Sequence, residues 1–446
     1  MDSKKPWAVP GKWSVGVHNF AEAVRAQMPN LPKKIEVRDV TIREADDQMG
    51  LYLTKEDKVQ LALKSSACGV RELDIGGPNL APHQGEACRA IRDAFDKAGI
   101  DKSVTRISGR FFGMAKDITA QIDGVMAAGC TDVRLTIMSP TINGFDAYYE
   151  QIKRIPVAVD YVHKKYGALI TCGVDETSRT PIEYLEPAYK AIRESGVDKA
   201  WFADTNGVAI PAAQKFLATE IRRMIGPDMP LAVHIHNHSG MATATCLAAI
   251  EGGVTEPDMT WNGYGDQAGF ACLEEVVCNL ESEYDVRTGI DLTKLTEVSE
   301  WIERACGMET QRHKAYTGKD SYAYMINHWD APIGLMLSGV KKEEIAGVIA
   351  ARDKVGQKEP YNPEVLGRKY IWAWGCYASR QVRVVKAKLD LMGLSCTDEQ
   401  AKQLLDQVIA TVDEQVALNK KLMAQKKPGY VTDEEFEQMV HKMLGK

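Results

Sequence analysis

The sequence has no run of about 18 apolar residues, so no segment of it reads as a bilayer span. Its first residues, MDSKKPWAVP, lack the apolar stretch of a secretory signal, and a cytoplasmic protein is expected. None of the ten cysteines lies in a C-x-x-C pair, and a chain of 446 residues needs no staples. Buried thiols are expected rather than a disulfide framework or a structural zinc. An excess of basic residues is missing as well. With 55 Lys and Arg against 61 Asp and Glu, the formal net charge of −6 leaves no footprint for nucleic acid or an anionic membrane. Small molecules are the expected partners. Low-complexity tracts are also absent: 45% hydrophobic and 26% charged residues is the balance of a chain that folds around a core.

What is present is a repeat. Short β-branched or apolar runs begin near Ile35 (IEVRDV), Arg71 (RELDIG), Ser103 (SVTRIS), Val133 (VRLTIM), Leu169 (LITCGV), Lys199 (KAWFAD), Leu231 (LAVHIH) and Asp258 (DMTWNG). Between them, stretches such as KEDKVQLALKSSACGV and EACRAIRDAFDKAGI place apolar residues at helical spacing. Each leaves through a glycine, from Gly69 and Gly99 through Gly129, Gly167, Gly196 and Gly226 to Gly252. Eight such units predict an α/β fold, a (β/α)8 TIM barrel over residues 35–310. An open doubly wound sheet is the alternative, but TIREADDQ follows the first strand where such a sheet usually has a Gly-rich phosphate turn. Residues 1–34, punctuated by proline, read as an amino-terminal arm. Residues 311–446 read as a linker or lid followed by a helical subdomain, in which Thr397 can cap a helix with Glu399 near its start.

In a barrel the carboxyl ends of the strands build the site, so those ends carry the chemistry. VHIHNHSG ends the seventh strand. Alternation sends His234, His236 and His238 to one face, enough imidazole nitrogen for a divalent metal such as Mn, Mg, Zn or Co. The carboxylate that completes the site is sought in the acidic loop RDVTIREADDQ, where Asp39, Glu44, Asp46 and Asp47 crowd beside Arg38 and Arg43. A guanidinium there offers a fixed fork for a carboxylate or a developing enolate. Asp74, Asp175 with Glu176, and Asp204 with Thr205 end the second, fifth and sixth strands. Any one could be a helix cap; together they suggest a catalytic mouth.

These residues resemble the metal-dependent carbon–carbon bond enzymes built on a barrel: isopropylmalate, homocitrate and citramalate synthases, with hydroxymethylglutaryl-CoA lyase and pyruvate carboxyltransferase domains as cousins. DVTIREADDQMGLYLTKEDK is similar to their first-strand signature, HIHNHSGMATATCLAAIEGG to their metal-histidine strand and WNGYGDQAGFACLEEVV to their eighth-strand loop. YDVRTGIDLTKL, INHWDA and TDEEFEQM resemble the synthase branch.

The resemblance implies a divalent metal held by Glu44, His234 and His236, with an acyl-CoA as co-substrate. It implies that Arg43 stabilises the enolate, that Thr205 and Asp47 bind substrate, and that His328, Asp175 and Asp74 take part in catalysis. A homodimer is likewise implied. The sequence departs from the family pattern at Glu44 and Ala45 in the first-strand signature. Asp74 and Asp175 replace glutamates, Phe270 replaces an asparagine ligand, and His238 replaces an aspartate and is expected as a third imidazole on the metal. The leading expectation is a Claisen-type condensation of an acyl-CoA with an α-keto acid. A lyase acting in reverse on a hydroxy acid and a non-catalytic keto-acid-binding relative are the alternatives. The loop GYGDQAG lacks the cysteine that the lyases carry there.

Overall fold

The computed structural model describes residues 5–329, 331–355, 360–374 and 379–424. Within Gly16–Thr310 eight short parallel strands close into a barrel. They are β1 (Arg38–Asp39), β2 (Glu72–Asp74), β3 (Arg106–Phe112), β4 (Asp132–Ile137), β5 (Ile170–Val174), β6 (Lys199–Asp204), β7 (Leu231–Ile235) and β8 (Glu256–Met259). This is the TIM barrel that the repeat predicts. The third strand starts at Arg106 rather than at Ser103, because the Asp101 carboxylate accepts the Ser103 N–H at 2.7 Å and holds the preceding residues in a turn. The helices begin where capping chemistry allows. Thr54 and Asp57, for example, form a reciprocal capping box at the start of Lys55–Cys68.

Barrel interiors are usually filled by branched apolar layers. Here the inward positions carry charge. At the base, Lys199 bonds Glu256 at 2.6 Å and Glu72 at 3.0 Å, and Arg106 lies 3.4 Å from Glu72 and from Asp132. Arg38 spans upward from Glu72 at 2.7 Å to Asp258 at 2.8 Å. Arg134 then bridges Asp258 at 2.8 Å and Asp74 at 3.2 Å, its guanidinium 4.2 Å from the centre of the Trp201 ring. Burial opposes ionisation of Glu72, but Arg38 and Lys199 overcome it and hold the carboxyl below its ordinary range. Removing one partner from such a buried pair costs about 3–5 kcal/mol, so these charges are fixed as a set. The strands also pack tightly: a Cβ on Gly173 of β5 would fall 1.9 Å from the Trp201 carbonyl oxygen of β6.

The second unit joins residues up to Val15 with residues from Gln311 onward. The segment expected as one amino-terminal arm is therefore divided, its first part folding with the carboxyl-terminal region and the remainder with the barrel. The Trp13 ring lies tilted against that of Tyr361 with centroids 5.7 Å apart, and strands Ala323–Met325 and Ile371–Ala373 pair in parallel. Val384 and Ala387 of helix Val382–Leu391 pack on Ile326 and Ile333, while Val385 meets Ala401 and Leu405 of helix Asp398–Ala424. Thr397 caps that long helix, but its reciprocal partner is Gln400 and not Glu399: the hydroxyl accepts the Gln400 N–H at 3.2 Å, and the amide oxygen accepts the Thr397 N–H at 2.9 Å. The TDEEFEQM segment and Asp330 of INHWDA lie outside the described residues. Among the described residues no helix is long and apolar enough to cross a membrane.

Candidate active site at the carboxyl ends of the strands

RDVTIREADDQ, read from sequence as an acidic loop, is a strand end followed by a helix, Thr41–Asp47. Asp39 is committed to holding that helix start. Its carboxylate accepts the Thr41 N–H at 2.8 Å, the Ser65 hydroxyl at 2.7 Å and the Trp261 indole N–H at 3.1 Å. Helical rotation buries Glu44 and leaves Asp47 half exposed, where it ion-pairs with Arg43 at 3.2 Å. Arg43 also pairs with Glu44.

Alternation along β7 brings His234 and His236 to the same side, as expected. It ends there. His238 lies in the following turn, exposed, with Nε2 2.6 Å from the Gln267 amide oxygen, and the structure does not bring it to the other two histidines as a ligand. Gly207, at φ +55°, lets the loop after β6 press against the His236 backbone; a Cβ there would sit 2.1 Å from the His236 carbonyl oxygen. Glu44, His234 and His236, all buried, each present one ligand atom, and these atoms lie within 4.8 Å of one another.

The electrostatics of this cluster call for a cation. Burial drives the His234 pKa well below its ordinary value despite its bond to Asp258, and burial followed by the Arg43 charge takes His236 down to about 3. A neutral His234 donates Nδ1–H to Asp258 at 2.8 Å, which turns its Nε2 lone pair on a Glu44 oxygen 3.2 Å away. Two acceptors thus face each other. His236 Nδ1 is buried without a hydrogen-bond partner, and the Glu44 oxygens have none beyond the Arg43 ion pair, among the described residues. One carboxylate and two imidazoles fit a divalent metal, with Asp258 orienting one ligand through its far nitrogen. Phe270, where the resemblance places an asparagine ligand, packs its ring 4.5 Å from His234 and 5.1 Å from His236 and forms an apolar wall.

The other sequence-predicted residues fall at graded depths. Asp74 is engaged by Arg134 and by the Gly76 N–H at 2.8 Å. Asp175 accepts the Ser139 N–H at 2.8 Å, and burial raises its carboxyl to about 6 against that bond, with the Glu176 charge adding. The Thr205 hydroxyl accepts the Glu176 N–H at 3.0 Å and keeps its own proton to donate. Asp204 binds Ser178 and the backbone N–H groups of Val208 and Ala209, a structural task. His328 belongs to the second unit, its ring 5.4 Å from Tyr324 and 5.5 Å from Trp329.

Sequence reading missed Asp258, Arg134 and Arg110, which surround the cluster. Their signal was charge at alternate positions of runs otherwise apolar, as in VRLTIM and SGRFF. In a strand that pattern ordinarily marks the solvent face, and only barrel closure turns it inward.

The HMGL-like family profile matches residues 34–302. The chain belongs to the HMGL-like family. Within this family it is similar to a homocitrate synthase AksA of Methanopyrus kandleri, 27% identical over 423 residues that cover 95% of each chain. It is 30% identical to a probable 2-isopropylmalate synthase of the same organism over 388 residues, 86% of this chain and 70% of the relative. A 2-isopropylmalate synthase of Methanocaldococcus jannaschii is 28% identical over 420 residues, 94% and 73% of the two chains. Among solved structures, a Bacillus subtilis HMG-CoA lyase superposes with a TM-score of 0.51 at 22% identity, covering 62% of this chain and 95% of that one. A Rhizobium etli pyruvate carboxylase gives 0.51 at 15% identity, covering 85% and 45%. At those identities the HMGL-like likeness to solved structures is one of fold.

Proposed function

We propose that this protein catalyses a divalent-metal-dependent Claisen-type condensation of an acyl-CoA with an α-keto acid. The observation that carries the reading is the buried set of Glu44, His234 and His236 with Arg43 beside it. The synthases to which the chain is similar over most of its length favour this direction over lyase chemistry.

Glu44, His234 and His236 would hold a divalent cation, which would supply Lewis-acid polarisation of the keto acid's carbonyl. Asp258 keeps His234 in the tautomer that leaves Nε2 free. Arg43, drawn against Asp47 on one side, offers its positive charge to the oxygen that becomes anionic as the new bond forms. The Thr205 hydroxyl donates to the keto acid's carboxylate. Asp175, with a carboxyl that titrates near 6, is suited to receive or return a proton near neutral pH. Asp74 holds Arg134 in place. His328 is assigned the acid–base step on the acyl donor, on the strength of the family resemblance. Phe270 excludes water from one side of the two histidines. We place the protein in the cytoplasm as a homodimer.

The test is a screen of purified protein, loaded with Mn, Mg, Zn or Co, against acyl-CoA and 2-oxo-acid pairs, reading free coenzyme A thiol. Release that needs both substrates and the metal supports the reading. Cleavage of a hydroxy acid product without any measurable condensation would make the protein a lyase.

A further inference from the structure

The inward face of β3 carries near its carboxyl end an arginine that the ion network does not consume. Arg106, Ser108 and Arg110 alternate along that face. Arg106 serves the base carboxylates, and the Ser108 hydroxyl bonds the Leu73 carbonyl at 3.3 Å. Arg110 stands near the carboxyl end, one alternate position before Phe112, in register with Arg134 of β4.

The two arginines differ in how they are held. Arg134 has no exposed side-chain surface and bonds Asp258 at 2.8 Å. Arg110 keeps 13% exposure, and its nearest carboxylate, Asp74, lies 3.7 Å away, beyond hydrogen-bond length. Asp74 is already taken by Arg134 at 3.2 Å and the Gly76 N–H. The Arg110 Nε is buried with no hydrogen-bond partner among the described residues. A nearly buried guanidinium with an unpartnered Nε and no carboxylate at hydrogen-bond length is kept by a fold where a ligand brings the compensating anion.

We propose that Arg110 binds a second carboxylate of the substrate, so that the α-keto acid taken by this site is a dicarboxylate. The assignment rests on the function proposed above, which needs one carboxylate beside the keto group and is silent on another. Arg110 supplies a planar fork for the second, on a strand separated from β1 by β2, and a buried guanidinium without a paired anion is unfavourable beside an aliphatic tail. A phosphate of the acyl-CoA is the other anion available. Arg110 lies on the inward face of the barrel with only 13% of its side chain exposed, which suits a carboxylate at the reacting end of a short substrate better than a bulky phosphate.

Titration calorimetry on the metal-loaded full chain decides the matter, with oxaloacetate, 2-oxoglutarate and 2-oxoadipate set against pyruvate, 2-oxobutanoate and 2-oxoisovalerate, and coenzyme A as a separate arm. The wild type is expected to bind the best dicarboxylate at least about tenfold more tightly than any monocarboxylate. Arg110→Gln should weaken that ligand by about 10–100-fold, the size of a lost charged hydrogen bond, and leave monocarboxylates and coenzyme A within about threefold. Arg110→Lys, which keeps the charge without the fork, should fall between. Because selectivity is read within each variant, a general loss of stability does not mimic the result. Monocarboxylates binding the wild type as tightly as dicarboxylates, Arg110→Gln weakening both classes equally, or a loss confined to coenzyme A would each overturn the Arg110 assignment while leaving the condensation intact. If no 2-oxo acid of either class binds the metal-loaded wild type, the proposed function and this assignment fall together.

Discussion

Asp258 accepts the Nδ1 proton of His234 at 2.8 Å, and Asp258 is itself gripped by Arg38 and Arg134, each at 2.8 Å. The orientation of a candidate metal ligand at the mouth is thereby tied to ion pairs that run through the barrel to Glu72, Lys199 and Glu256 at its base. Asp258→Asn preserves shape but can present an amide N–H to Nδ1, which favours the tautomer whose Nε2 carries the proton. Chelator competition should then show metal affinity about 10–100-fold weaker than wild type. Unchanged affinity in a folded variant would remove Asp258 from the site's chemistry.

Purified protein should carry about one divalent ion per chain, and the His234→Ala, His236→Ala double variant none. Glu44→Ala should lose most of the affinity as well. Elemental analysis checks both. A double variant as metal-rich as wild type would end the metal reading, and a Glu44→Ala variant that binds normally would send the search for the carboxylate ligand elsewhere.

The carboxyl of Asp175 is raised to about 6, mainly by burial. A raised pKa means that the folded state holds the proton more tightly than the unfolded chain. Its favourable contribution is full below about pH 4 and disappears as pH climbs through 6, a swing on the order of 3 kcal/mol at most. Asp175→Asn removes the titration. Denaturant unfolding at pH 4 and pH 7 should show the variant gaining relative to wild type at the higher pH, and the rate profile should lose an ionisation near 6. Parallel stability curves for the two proteins would contradict the assignment.

His328→Ala should keep its metal and lose turnover by about 10²–10⁴-fold, the usual contribution of a general acid or base. Exchange of the acyl donor's α-hydrogens for deuterium, followed by mass spectrometry, should slow in parallel. Full activity in this variant would leave His328 as a packing partner of Tyr324 and Trp329.

Arg43→Gln should fold and bind metal while slowing condensation by about 10²–10³-fold, because it removes positive charge from the developing oxyanion. The effect belongs in kcat more than in KM. A change confined to KM would mean that Arg43 only binds substrate.

The sequence by itself determined the barrel, because strand, helix and glycine recur eight times with no Gly-rich phosphate turn after the first strand, and each cap and turn acts locally. It also determined that His234 and His236 share a face, since alternation is a property of the strand alone. Where the strand stops was a tertiary matter: the backbone bridge between His236 and Phe270 and the turn after it carry His238 away. Glu44 was legible as a carboxylate beside Arg43, but its selection over Asp46 and Asp47 came from the helix Thr41–Asp47, which rotates one acid inward and its neighbours out, and over Asp39 from the hydrogen bonds that Thr41, Ser65 and Trp261 give to that buried carboxylate. The interior charges were the least legible part. Arg38, Glu72, Arg134 and Asp258 come from four strands far apart in the chain, and only closure of the ring makes them partners. Their burial is tolerable because each meets an opposite charge, a condition that no local pattern can express.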